Sequence, residues 1–83
     1  MEIVAGQIVK SIAGHDKGNY FLVTDVNGKV LTLCDGKYRP LEHQKKKKEI
    51  HIAQTSAVVD LSVVKTNREI RRAIKAFSDN THN

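Results

Sequence analysis

Tyr20-Phe21-Leu22-Val23-Thr24-Asp25-Val26-Asn27-Gly28-Lys29-Val30-Leu31-Thr32-Leu33-Cys34 is two runs of β-forming residues divided by Asn27-Gly28. Asn-Gly is the strongest short hairpin signal, because both residues tolerate positive φ. A two-residue turn there sets Val26 opposite Lys29, Thr24 opposite Leu31 and Leu22 opposite Leu33. Leu22, Val26, Leu31 and Leu33 then share one face, with Tyr20 at its edge. Phe21, Val23, Val30 and Cys34 share the other with Asp25 and Thr32. A sheet with one wet face alternates more cleanly than this. The hairpin therefore belongs either to a small closed barrel or to a sheet whose second side another segment covers.

Similar punctuation extends on both sides of the hairpin. Gln7–Ile12 carries Ile8, Val9 and Ile12 and reads as a preceding strand, joined to the hairpin by a polar loop, 13–19, bounded by Gly14 and Gly18. Beyond the Asp35-Gly36 turn, Lys37–Leu41 reads as a fourth strand that Pro40 confines to an edge. Lys45–Lys48 is a run of lysines with the character of a flexible loop. Glu49–Gln54 reads as a fifth strand, with Ile50 and Ile52 on one side and His51 on the other. Five short strands, tight turns and one longer loop describe an SH3-like barrel, and an OB-type barrel usually needs more residues. Thr55–Lys65 is compatible with a sixth strand or an extended arm. Thr66-Asn67-Arg68-Glu69 has the pattern of a capping box, with Thr66 as N-cap and Glu69 reaching back. The helix that follows places Ile70, Ala73, Ile74 and Phe77 on one face, suited to docking on the barrel. Arg68, Arg71, Arg72 and Lys75 fall on the opposite face. The chain is thus expected to be one mainly β domain: a five-stranded SH3-like barrel over 1–54, a connecting arm over 55–66, a C-terminal α-helix over 67–78 and a frayed tail over 79–83.

Bulk properties narrow the function. The chain has 83 residues, 40% of them hydrophobic and 28% charged, which suits one small folded domain with a modest core. There is no apolar run long enough to cross a membrane as a helix. Met1-Glu2-Ile3-Val4 lacks the features of a signal peptide. Cys34 is the single cysteine. It cannot form an intramolecular disulfide, its apolar neighbours suit a packed small hydrophobe, and a cytoplasmic setting is expected. Net charge is +5. A positive field favours polyanions, nucleic acid first and an acidic membrane surface second.

The cations gather in four segments. Gly14-His15-Asp16-Lys17-Gly18 is a glycine-hinged loop whose tip can offer Lys17, His15 and backbone N–H groups to phosphates. Lys37, Tyr38 and Arg39 follow the Asp35-Gly36 turn, and Tyr38 is the one plausible exposed stacking residue. Lys45, Lys46, Lys47 and Lys48 follow, with His51 just beyond. Arg68, Arg71 and Arg72 supply guanidinium groups suited to phosphates, although a charged helix face is often only the wet face of an amphipathic helix. With no Trp and few aromatic residues, folded RNA read by shape and phosphate is a better substrate class than a single strand read on aromatic platforms. His15, His43, His51 and His82 lack metal-ligand spacing, and no catalytic triad, carboxylate pair or P-loop stands out. The expectation is a non-enzymatic protein with no cofactor and no metal.

Gly6-x-x-Val9 followed by Gly14-x-Asp16-Lys17-Gly18 resembles the KOW motif of ribosomal proteins and transcription elongation factors. Asp35-Gly36-x-x-Arg39-Pro40-Leu41, the lysine run and His51 are similar to the KOW ribosomal protein numbered fourteen of the archaeal and eukaryotic large subunit. Thr66-Asn67-x-Glu69-Ile70-Arg71-x-Ala73-Ile74 resembles the C-terminal segment of its small bacterial relatives, KOW-domain RNA-binding proteins. The resemblance implies an SH3-like barrel and a partner that is RNA, ribosomal RNA or the large ribosomal subunit, contacted through Gly14–Gly18. A protein-interaction module and a transcription-complex factor are the rival readings, since SH3-like barrels serve both.

Overall fold

A computed structural model describes residues 2–80 of the chain. Five antiparallel strands form one sheet: β1 (Gln7–Ser11), β2 (Tyr20–Asn27), β3 (Val30–Cys34), β4 (Lys45–Lys48) and β5 (Ile52–Val58), in the order β4-β3-β2-β1-β5. One α-helix, α1 (Asn67–Asn80), follows among the described residues. The mainly β, SH3-like class with a C-terminal helix therefore holds, with one qualification of shape: the sheet is rolled but not closed, and β4 and β5 remain its edges. The rolling follows from connectivity. The edges of a flat five-stranded sheet would lie about 19 Å apart at about 4.8 Å per strand. Yet β4 and β5 are joined by one 3₁₀ turn, Glu49–His51, which at about 2 Å per residue spans less than half that gap.

Several strand assignments change. Lys37–Leu41 is not a strand: Asp35 accepts the backbone N–H groups of Lys37 and Arg39 at 2.8 and 2.7 Å, which folds the segment into a tight turn. A 3₁₀ turn at Leu41–His43 follows. The lysine run, expected as a flexible loop, is the fourth strand, with Leu33 opposite Lys45 and Val30 opposite Lys48. Glu49–His51 is the 3₁₀ turn, so Ile50 is 70% exposed while Ile52 enters the core. The fifth strand begins at Ile52 and runs through Val58, into the segment read from sequence as an arm.

The hairpin register also differs. Gly28 and Lys29 form the turn, Asn27 pairs with Val30 and Val26 with Leu31. Only Gly28 has positive φ there, as in turns with glycine in the first central position. A bulge at Thr24 then shifts the pairing, so that Val23 meets Leu33 and Leu22 meets Cys34. One inserted residue exchanges the faces of everything beyond it. Phe21 and Val23 consequently join Leu31 and Leu33, with Ile3, Val9 and Ile52, in a core on one side of the sheet. Leu22 and Cys34 join Ile8 and Ile70 on the other, flanked by Leu61, Val64, Ile74 and Phe77. The second apolar face is thus covered by the helix and the segment leading to it. The predicted capping box is present: Glu69 N–H donates to Thr66 Oγ1 at 3.2 Å, and Thr66 N–H donates to Glu69 Oε1 at 3.0 Å. The helix extends two residues beyond its expected end, and the part of the expected tail at 81–83, with His82, lies outside the described residues.

Candidate nucleic-acid interface

The loop between β1 and β2 is built by local chemistry. Gly14 and Gly18 have φ of +84° and +92°. Gly18 N–H donates to Ser11 O at 2.8 Å, and Asn19 N–H to Asp16 O at 3.0 Å, closing the loop on itself. Gly14, His15, Lys17 and Gly18 are exposed. Asp16 turns inward, and its side chain keeps only 13% of its exposure. Its Oδ2 accepts Lys45 Nζ at 2.6 Å. Its Oδ1 accepts Lys47 Nζ at 2.6 Å and Ser11 Oγ at 2.7 Å. Burial pushes this carboxyl up, but the hydrogen bonds from Lys45, Lys47 and Ser11 together outweigh it and hold the group well below the usual carboxylate range.

The strand period explains which lysines Asp16 meets. Lys45 and Lys47 stand opposite Leu33 and Leu31, on the core side of the sheet. Their stems run along apolar surface while their ammonium groups reach the edge. Lys47 is the deeper, with 9% side-chain exposure, and also donates to Ala13 O at 2.7 Å. Lys46 and Lys48 point to the opposite, solvent side. The run thus divides into two structural and two free cations.

The turn after β3 is seated against the helix. An added Cβ on Gly36 (φ +77°) would lie 2.3 Å from Asn67 O and 3.0 Å from Arg71 Cγ, so only glycine fits. Arg71 Nη1 donates to Gly36 O at 2.5 Å. Asn67 Oδ1 accepts Leu41 N–H at 2.8 Å. Lys37, Tyr38 and Arg39 are exposed beyond this anchor.

Two adjoining depressions result. The smaller, about 170 Å³, is bordered by His15 of the loop, Tyr38 and Arg39 of the turn and Lys45 of the strand. The larger, about 660 Å³, is bordered by Gly18, Lys37, Tyr38 and Arg71, together with Lys10 and Lys75. Asn19, Asp35 and Tyr38 belong to both. Of the residues singled out by sequence, the fold gathers His15, Asp16, Gly18, Lys37, Tyr38, Arg39, Lys45 and Arg71 around these depressions. Gly14 packs beside Lys47 Nζ. Lys17 is exposed on the same loop. Lys46, Lys48, Arg68 and Arg72 are exposed but border neither depression. His51 is half-buried in the 3₁₀ turn, where its carbonyl accepts Ile12 N–H at 2.9 Å. Sequence reading missed Lys10, which interrupts an apolar strand and pairs with Tyr20, its Nζ 5.7 Å from that ring's centroid. Cys34 is fully buried, and burial, with Asp35 beside it, pushes its thiol up to about 11. Among the described residues no three His, Cys, Asp or Glu side chains gather as a metal site, and no helix is long and apolar enough to cross a membrane. No protein-family model matches the chain, and no curated protein matches it.

Proposed function

We propose that this protein is a non-enzymatic, KOW-type RNA-binding module, its target ribosomal RNA or a ribosome-associated RNA in the cytoplasm. The observation that supports this most is the meeting of three separate segments around Tyr38, where His15, Arg39 and Lys45 stand with Asp16 and Asp35, beside an adjoining depression in which Lys10, Lys37, Arg71 and Lys75 outnumber Asp35 and Asp79. Phosphates attract such a face over the range of the ionic atmosphere, and the fixed backbone of loop and turn spares part of the ordering cost of binding. Asp16 has an internal role: it fastens the loop to β4 and neutralises one of the two lysines it holds. The phosphate contacts therefore fall to Lys37 and Arg39 at the depressions and to the exposed Lys17 on the adjoining loop.

The test is binding to ribosomal RNA fragments across a salt series, with duplex DNA as competitor. Affinity falls steeply with salt, and Lys17→Gln and Arg39→Gln each reduce the slope by about one counterion. Salt-independent binding, or preferential binding of duplex DNA, counts against the proposal. Retention of a partner protein after nuclease treatment, with no RNA bound, would support the interaction-module reading instead.

A further inference from the structure

The larger depression has a composition that phosphate contact alone does not explain. Lys10, Lys37, Arg71 and Lys75 border it along with two carboxylates, Asp35 and Asp79. Asp35 is occupied by the N–H groups of Lys37 and Arg39, and Asp79 lies 3.2 Å from Lys75. An excess of positive charge remains. The Arg71 guanidinium is anchored through one nitrogen to Gly36 O, so its fork is held in place with donors to spare. The aromatic residues differ sharply in state. Tyr20 is committed to Phe77 in an edge-to-face contact, with ring centroids 5.4 Å apart. Tyr38 stands 75% exposed on the rim shared by both depressions, with Lys37 Nζ 5.0 Å from its ring centroid. An open ring beside Lys37 and the anchored Arg71, over a depression of about 660 Å³, suits a planar, anionic, nucleotide-sized ligand; small-ligand clefts run from about 300 to 1,000 Å³.

We propose that this cleft seats one unpaired nucleotide of the bound RNA, its base stacked on Tyr38 and its phosphate held by Arg71 and Lys37. The inference rests on the RNA-binding reading and adds the feature recognised: a bulged or looped-out base at the edge of a folded RNA. In a continuous A-form helix both faces of each base are covered by its neighbours, and the major groove is too narrow for side chains to read; an extruded base offers a free face. One stacking residue suffices for one such base, which reconciles a chain poor in aromatic residues with a conspicuously open tyrosine.

The experiment compares two RNA duplexes that differ only in a single bulged 2-aminopurine, read by anisotropy for affinity and by 2-aminopurine fluorescence for stacking. The wild-type protein binds the bulged duplex about tenfold more tightly, within the range of base–aromatic stacking, and quenches its fluorescence. Tyr38→Ala removes both the preference and the quenching, so that the two duplexes bind with equal affinity, as expected for loss of a stacking contact to the extruded base. Tyr38→Phe keeps both. Equal wild-type affinity for the two duplexes, or a preference that survives Tyr38→Ala, overturns this inference and leaves the RNA-binding reading standing. Absence of salt-dependent binding to either duplex overturns both.

Discussion

Asp16 and Gly36 show how far a single residue's role depends on where its neighbours lie. Asp16 belongs to a loop motif that reads as a partner-contacting tip, yet its carboxylate holds Lys45 and Lys47. Asp16→Asn would leave two nearby ammonium groups without a counter-charge. Breaking a buried pair in this way costs about 3–5 kcal/mol; here about 2 kcal/mol is expected, because Lys45 keeps 28% side-chain exposure and solvent screens it. Urea unfolding at neutral pH measures this. The pH dependence has a definite sign. The Asp16 pKa is lowered in the folded protein, so its contribution is complete above the unfolded value of about 3.9 and disappears as pH falls through the folded value. The stability gap between wild type and Asp16→Asn should therefore be constant above about pH 5 and narrow in more acidic solution. A gap that widens on acidification would contradict the assignment. Lys47→Glu belongs to the same cluster and should unfold the protein, so it cannot serve to probe RNA contact; Lys46→Glu, on the outer side of β4, should leave the fold intact. Gly36→Ala combines a disfavoured φ with a backbone clash at Asn67 and should destabilise by more than about 2 kcal/mol.

At the scale of elements, α1 is both a lid on the second core and the seat of the 35–42 segment. Its start was legible because capping chemistry is local: Thr66 and Glu69 need only each other. Thr66→Ala should cost about 1 kcal/mol. Its docking surface is non-local, with Ile70 fully buried against Ile8, Leu22 and Cys34. Ile70→Ala should cost about 2–5 kcal/mol and speed Cys34 labelling by a thiol reagent, since the lid then opens more often. Unchanged labelling in that variant would show that α1 does not control access to the thiol. The lysine strand is the opposite case. Four consecutive lysines have poor strand propensity and no apolar alternation, and only pairing with β3 and the Asp16 counter-charge make β4 a strand. The same run reads as a loop when those partners are unknown.

For the whole molecule, the two apolar faces of the hairpin required a double-sided solution. The fold combines the two options the residues left open: a rolled sheet around one core and a helix covering the other. The amino-acid sequence by itself determined the class, the hairpin, the glycine-hinged loop, the capped amphipathic helix and the excess of positive charge. Each of these is written in residues a few positions apart, whose turn chemistry, periodicity or charge acts locally. Only the tertiary structure decided the bulge at Thr24, the identity of the fourth strand and the exposure of Ile50. It alone separated the lysines into those bound to Asp16 and those free, and brought Lys10, Tyr38 and Arg71 to one cleft. These outcomes depend on partners far apart in the chain, such as Lys47 and Asp16, 31 residues from one another. Local preference is weak beside the cost of burying a charge unpaired, and that cost is felt only once the chain has brought the partners together.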